Sequence, residues 1–380
     1  MEGILRIGTT AVVRALATGM LVVCSALTPL TAAAGQEVTD LRGRTVTVPD
    51  NIDTIAIDDG RFLLALSLID PDPVSKLAAW PNDINRLGEE FYQRTVAAFP
   101  AMKSLPVVSS SAESFDMESM LAADPDVAVV SLSRGPTDDQ VAMLQASGIA
   151  VVFIDFFIDP FKHQAPSLEL LARLTGNQPQ AQAYLALREQ HLARISQRLD
   201  EGDVSRPTVF MEAHAGITQD CCFSPGNGGI GDYIAFVGGH NIGADVLTKA
   251  SGKLNLEYII ASDPDVYIAT GGPALAKNGG LVMGGGYSVP DAQAALSRVA
   301  SRHGIADLSA VSQGRVHGLA HQLLNSPLDI VAVEALAKWI HPRLFADLDP
   351  ASTLQLINER FLALPYTGTG WVDLPSSQHP

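Results

Sequence analysis

The chain carries nearly the same thirteen letters twice: "ESMLAADPDVAVV" from Glu118 to Val130 and "EYIIASDPDVYIA" from Glu257 to Ala269, 139 positions further on. Each copy opens with an acid, runs through a short apolar stretch, turns at Asp-Pro-Asp and ends in a β-rich run. A proline cannot continue a helix and pushes the residue before it towards extended backbone, so each copy reads helix, turn, strand. One such corner is generic. Two at this separation predict a duplicated unit, and 380 residues are enough for two hydrophobic cores.

Residues 1–34 read as a different material. Arg6 and Arg14 form a positive flank, "ALATGMLVVCSAL" is an apolar run too short to span a membrane, and Ala32-Ala33-Ala34 before Gly35 offers a cleavage site. This is the pattern of a secretory signal and implies a periplasmic protein. A lipoprotein with lipid on Cys24 is the rival reading, disfavoured because Val23 stands where a small residue is wanted. The formal net charge is −16; removing the segment, which holds one acid and two bases, leaves −17. Such a surface excludes nucleic acid and anionic membranes as partners.

Past the signal, only Cys221 and Cys222 remain, adjacent in "QDCCFSPGN". Neighbouring Cα atoms about 3.8 Å apart fall short of the usual disulfide span of roughly 4.4–6.8 Å. A strained vicinal disulfide and two half-buried thiols both stay open. With no second cysteine pair, a structural zinc site is not expected.

"EVTDLRGRTVTVP" alternates about Arg42-Gly43-Arg44 and predicts a hairpin. "IDTIAI", "VSKLAAW", "DVAVVSL" and "IAVVFIDFF" read as buried strands separated by helical patterns. A second series follows, with "PTVFMEA", "DVYIATGG" and "RVHGLA" as strands. This alternation predicts a mostly parallel α/β architecture. Between the two series, "QPQAQAYLALREQHLARISQRLDEG" repeats apolar residues at helical spacing (Ala181, Leu185, Leu192, Ile195, Leu199). It predicts a stiff connecting helix near 178–201, about 33 Å long. The expected organisation is a signal peptide at 1–34, an N-terminal α/β lobe at 35–163, connecting helices at 164–203, and a C-terminal α/β lobe with closing helices at 204–380.

With these features in place, the chain resembles the periplasmic substrate-binding proteins of ABC importers, in the rigid-helix group that handles ferric siderophores, haem and cobalamin. The residues that carry the resemblance are the export signal, the "DLRGRTVTVP" opener, the two series, the long helix and the repeated Glu…Asp-Pro-Asp-Val corner. It implies two Rossmann-like lobes joined by one long rigid α-helix, with the ligand cleft between them. It also implies that Glu118 and Glu257, one per lobe, face arginines on an inner-membrane permease. A first-turn acid favourable to the helix dipole explains either glutamate alone; the duplication argues for docking.

Ligands of open α/β sheets bind beyond the carboxyl ends of the strands. That rule selects Asp59, Arg61, Trp80, Ser133, Arg134, Phe156 and Phe157 in the first lobe, and Glu212, His214, Tyr287, His321 and Gln322 in the second. Arg86 joins them, because a cation at the start of a helix opposes the dipole and needs another reason, either a ligand anion or a salt bridge to Glu89 or Glu90. Each of these residues alone is more often packing or surface. Aromatics and arginines together suit a bulky, partly anionic chelate. His163, His214, His240 and His321 are scattered, without the compact spacing of a bare-metal site, so an iron siderophore is expected to complete its own metal's coordination. No cofactor and no catalytic residue is expected, and the protein is expected to act as a monomer with a small iron chelate and a permease as partners.

Haem or cobalamin capture on the same fold is one alternative. Another is a nucleotide-dependent enzyme, since "GNGGIG" at Gly226–Gly231 matches G-x-G-x-x-G. It does not follow a strand directly, and no ribose-binding acid is placed for it, so the glycines read better as a close backbone approach. A sensor module on this fold would be tethered to a signalling partner.

Overall fold

The computed structural model describes residues 35–82, 87–108, 115–202, 204–218 and 221–375. Residues 1–34, with Cys24, and Arg86 lie outside the described residues.

Short aliphatic runs buried on both faces build two parallel sheets, as the strand patterns require. β1 (Gly35–Thr39) and β2 (Thr45–Pro49) form the expected hairpin. It turns at Gly43, whose φ of 75° a residue with a Cβ rarely adopts. β3 (Ile55–Ile57), β4 (Leu77–Ala79), β5 (Val127–Ser131) and β6 (Ala150–Ile154) then make the first sheet, in the order β4-β3-β5-β6 and all parallel. Its helices are α1 (Phe62–Ile69), α2 (Glu89–Ala98), α3 (Met117–Ala123) and α4 (Asp138–Ala146). α5 (Pro160–Thr175) and α6 (Gln178–Glu201) follow.

The second lobe contributes β7 (Thr208–Glu212), β8 (Phe223–Pro225), β9 (His240–Asn241), β10 (Ser251–Lys253), β11 (Val266–Gly271), β12 (Val316–Ala320) and β13 (Trp371–Asp373). Five of these form the sheet β13-β12-β11-β7-β9, parallel except for β13, while β8 and β10 pair as a separate antiparallel ribbon. α7 (Gly231–Phe236), α8 (Leu256–Ser262), α9 (Val289–Ala300), α10 (Asp329–Ile340) and α11 (Pro350–Arg360) complete it.

The repeated corner has a structural cause. α3 is capped by Asp116, which accepts from Ser119 N, and α8 by Asn255, which accepts from Glu257 N. Each helix ends at the first aspartate of Asp-Pro-Asp, in left-handed conformation: Asp124 at φ 44° and Asp263 at φ 38°. The second aspartate then clasps a threonine that leads into the neighbouring strand. Asp126 Oδ2 accepts from Thr54 N at 2.8 Å, and Thr54 Oγ1 accepts from Asp126 N at 3.2 Å. Asp265 Oδ2 accepts from Thr208 N at 2.7 Å, and Thr208 Oγ1 accepts from Asp265 N at 3.0 Å. The same chemistry thus registers β3 on β5 and β7 on β11. Glu118 and Glu257 take no part in either clasp; both stand exposed on the first turn of their helices.

The connecting helix falls where the sequence predicts, about 36 Å long. Its buried seam is Ala181, Tyr184, Arg188, Leu192 and Ile195. Leu185 and Leu199 lie beside the seam, half-buried. Arg188, 4% exposed, grips the fully buried Asp329 of α10 with two bonds, Nε to Oδ1 at 2.8 Å and Nη2 to Oδ2 at 2.6 Å. Tyr233 of α7 adds its hydroxyl 3.1 Å from Asp329 Oδ2, and that hydroxyl accepts from Gln164 of α5 at 3.1 Å. His191 pairs with Glu334 at 2.7 Å, and Arg194 and Arg198 hold Asp347.

A second tie was not legible in the sequence. After α11 the chain returns to the first lobe: Ala363 and Leu364 donate to Ser67 of α1, and Arg94 of α2 donates to Thr367 and to the Pro365 carbonyl. Only then does β13 join the second sheet.

Removing one partner of a buried ion pair strands the other charge, so Arg188→Ala is expected to cost about 3–5 kcal/mol of folding stability. Arg188→Met combined with Asp329→Leu is expected to recover most of that loss. Urea denaturation followed by circular dichroism measures both.

Candidate functional site

The strand ends of the two sheets meet at a cavity of about 230 Å³. Arg61 and Arg134 line it from the first lobe; His214, His321, Gln322 and Asn325, with Gly271, Gly272, Ala274 and Leu275, line it from the second. Five of the residues selected from the sequence therefore converge: Arg61, Arg134, His214, His321 and Gln322.

Arg61 is set by two others. Asp59, 2% exposed, accepts from its Nε at 2.9 Å and from its Nη2 at 2.5 Å, and the guanidinium carbon lies 3.8 Å from the centre of the Phe157 ring. Asp59 and Phe157 thus support the arginine, one by charge and one by stacking. The Phe157 loop is itself tied by buried Asp155, which accepts from the backbone of Phe157 at 3.1 Å and of Asp159 at 3.2 Å and pairs with His163 at 2.7 Å. Arg134 follows β5 and is exposed at the cavity rim.

The two cleft histidines stack with ring centres 3.9 Å apart, tilted by 37°. Burial, then the nearby Arg61, lowers the affinity of His214 for a proton. Burial holds His321 well below the ordinary histidine range, with His214 and Arg61 adding to the effect. Both rings are therefore neutral at pH 7, and the site's positive charge comes from the arginines. Behind Arg61, buried Asp58 accepts from Ser131 N at 2.8 Å, and desolvation pushes its carboxyl up to about 8.

Other candidates lie elsewhere. Trp80 is 3% exposed and stacked on Tyr92, and Phe156 is 1% exposed against Phe62; both belong to the core. Glu212 is buried behind the strand end, held by Arg302 and by the Tyr267 hydroxyl at 2.6 Å. Ser133 is exposed near the rim, its hydroxyl 3.0 Å from that of Ser131, and does not line the cavity. Tyr287 lines an adjoining groove between Glu89, Glu90 and Pro273, which shares Ala274 with the main cavity. His240 pairs with Asp245 away from the cleft.

Cys221 and Cys222 are paired with each other, Cys222 buried and Cys221 half-buried. Among the described residues they form, with Glu212, the one trio of metal-ligating side chains within 4.8 Å. Its carboxylate is already engaged by Arg302 and Tyr267. The "GNGGIG" loop does not cradle a phosphate: Gly226 N bonds Ala250 O, Gly228 N bonds Asp232, and Gly229 N reaches Ile158 O of the first lobe at 3.0 Å. The glycines allow a loop to approach the opposite lobe, as the alternative reading of the motif expects.

Thr270, Asn325 and the Gly271-Gly272 pair were missed. Thr270, Gly271 and Gly272 close "DVYIATGG", and the strand-end rule applied to that strand selects them.

Two largely parallel sheets, a connecting helix with one buried seam and a cavity at the sheets' facing carboxyl ends define a two-lobed solute receptor. The protein belongs to the periplasmic binding protein family, which it matches over residues 67–323. This is a family of solute-binding proteins rather than enzymes, whose members serve inner-membrane ABC permeases. A cobalamin-binding protein from Halobacterium salinarum is 29% identical over 271 residues, 68% of each chain. The TroA-like periplasmic binding protein FepB from Veillonella parvula has a similar fold, with a TM-score of 0.80 at 24% identity over 89% of this chain and 99% of that one. A periplasmic haem-binding protein from Pseudomonas aeruginosa is more distant, with a TM-score of 0.55 at 19% identity over 77% and 94%. Among the described residues no helix is long and apolar enough to cross a membrane.

A carboxyl group whose folded pKa is raised favours folding below its unfolded pKa and loses that contribution as pH rises through the folded value. For Asp58 the window runs from about 4 to about 8. Asp58→Asn keeps an acceptor for Ser131 N and cannot ionise. Denaturant melts at pH 5 and pH 8 are expected to differ less for this variant than for the wild type.

Proposed function

We propose that this chain captures a ferric siderophore, or a closely related anionic metal chelate, between its lobes and delivers it to an inner-membrane permease. The observation that carries this reading is the pairing of Arg61 and Arg134 across the cavity from His214, His321 and Gln322. Two guanidinium groups, that of Arg61 held by Asp59 and Phe157, beside neutral imidazoles suit an anionic rim around a metal, and the local arginines outweigh the distant acidic surface, which salt screens within about 10 Å. The iron travels with the cargo and is no resident cofactor. Residues 1–34 direct export and are removed, leaving a monomer in the periplasm. Cobalamin is the second reading, favoured by the identity to the Halobacterium salinarum protein.

Titrating the purified protein calorimetrically with hydroxamate, catecholate and carboxylate ferric siderophores, haem and cobalamin tests the assignment. Arg61→Ala is expected to weaken binding of an anionic chelate about tenfold to a hundredfold, the worth of a charge-assisted contact. A flat response to the whole panel refutes capture of this cargo class.

Docking rests on Glu118 and Glu257. Glu118→Arg with Glu257→Arg is expected to abolish uptake into cells while ligand affinity stays unchanged. Normal uptake by the double variant removes these residues from the permease contact.

A further inference from the structure

The paired Cys221 and Cys222 do not line the cavity. They stand at the end of the stretch that leaves β7 at Glu212 and carries His214 to the cavity wall. Ala213 N donates to the Phe223 carbonyl at 2.7 Å, and the Cys222 carbonyl accepts from Leu254 N at 2.9 Å, which fixes the pair at the base of that stretch. The two sulfurs differ in access. Cys222 is 1% exposed, whereas Cys221 is half-buried and lines an open groove of about 550 Å³. A thiol arriving from solvent therefore meets the Cys221 sulfur first.

The groove carries charge of one sign. Lys253, Arg302 and His303 line it beside Cys221, and among the described residues no acid does. Glu212 stands behind the pair, a carboxylate oxygen within 4.8 Å of both sulfurs. Arg302 grips that carboxylate with both terminal nitrogens, Nη1 reaching Oε1 at 2.9 Å. The negative charge nearest the disulfide is thus offset, and a cation beside a departing sulfur favours its thiolate. Cationic walls also gather small anions, and the attacking form of a thiol is its thiolate.

We propose that Cys221 is a site of S-thiolation by small thiols that carry carboxylates. The incoming thiolate bonds to the Cys221 sulfur, and the bond between Cys221 and Cys222 breaks. The electron pair of that bond leaves with the Cys222 sulfur, which takes the proton the thiol gave up. The incoming sulfur is oxidised and the Cys222 sulfur is reduced, so the step needs no further oxidant or reductant. The product is a mixed disulfide on Cys221 beside a buried Cys222 thiol. A second thiol removes the first as its own disulfide and leaves both cysteines free. This chemistry is independent of which solute the cleft captures.

Two probes test the site: glutathione, which carries carboxylates, and cysteamine, which carries an ammonium group. The full chain with Cys24→Ser is mixed with each thiol, quenched with N-ethylmaleimide at intervals and mapped by peptide mass spectrometry. Each rate is divided by that thiol's rate with a neutral small-molecule disulfide, which removes differences in thiolate fraction and nucleophilicity. The adduct is expected on Cys221, with the maleimide on Cys222. Glutathione is expected to add about tenfold faster than cysteamine at low salt, the lower end of electrostatic steering into a charged cleft. Salt at about 1 M, or Lys253→Glu, is expected to bring the corrected rates together. The salt arm needs no variant and decides the matter if Lys253→Glu fails to fold. A disulfide that stays intact in excess glutathione, an adduct on Cys222, or equal corrected rates at low salt overturns the proposal.

Discussion

The pairing of Arg188 with Asp329 sets the relation of the two lobes. Both charges are buried, so each was stripped of water at a cost that only bidentate geometry and extra hydrogen bonds offset. Tyr233 supplies one such bond, and Gln164 links that hydroxyl to the helix that leaves the first lobe. The network therefore spans elements from both sides of the connection. Together with the return of residues 363–367 onto Ser67 and Arg94, it joins the lobes at two places rather than one. A body tied twice resists the large hinge motion that a single flexible linker permits, and its cleft is pre-organised for the ligand.

Pre-organisation shows in how the cleft charges are held. A guanidinium on a flexible stem loses entropy when it binds; Arg61 has already lost much of it to Asp59 and Phe157. The carboxylate that fixes Arg61 also neutralises part of its field, so selectivity depends on shape and on Arg134 as much as on raw charge. Next to them, two neutral imidazoles add no charge of their own.

The sequence made the architecture legible because its signals were local. Aliphatic runs such as "DVAVVSL", the 3.6-residue period of Ala181, Leu192 and Ile195, and proline at the helix-to-strand corner each act over a few residues. The rule of strand carboxyl ends then located Arg61, Arg134, His214, His321 and Gln322. It failed where burial depends on distant partners. Trp80 follows a strand as a ligand residue would, yet Tyr92 and the core take it up. Glu212 ends a strand, yet Arg302, ninety residues later, claims its carboxylate. No local pattern announces such a partner. The same holds for Tyr184, whose spacing marks the helix seam but whose hydroxyl bonds to the Pro327 carbonyl, and for the β13 strand, three residues long.

The repeat itself divides into two parts with different explanations. Its aspartates are accounted for by the fold: Asp124 and Asp263 terminate helices, and Asp126 and Asp265 clasp Thr54 and Thr208. Those needs are met inside each lobe and recur because the lobes are built alike. The glutamates meet no such need. A first-turn acid adds only about 0.3–1 kcal/mol through the helix dipole, and other residues tolerate that position at little cost. What the fold leaves unexplained is thus confined to one exposed carboxylate per lobe, at equivalent places on two lobes held at a fixed separation. Two charges so placed can be read together only by a partner that touches both lobes at once, and rigidity of the connecting helix is what would make that reading dependable.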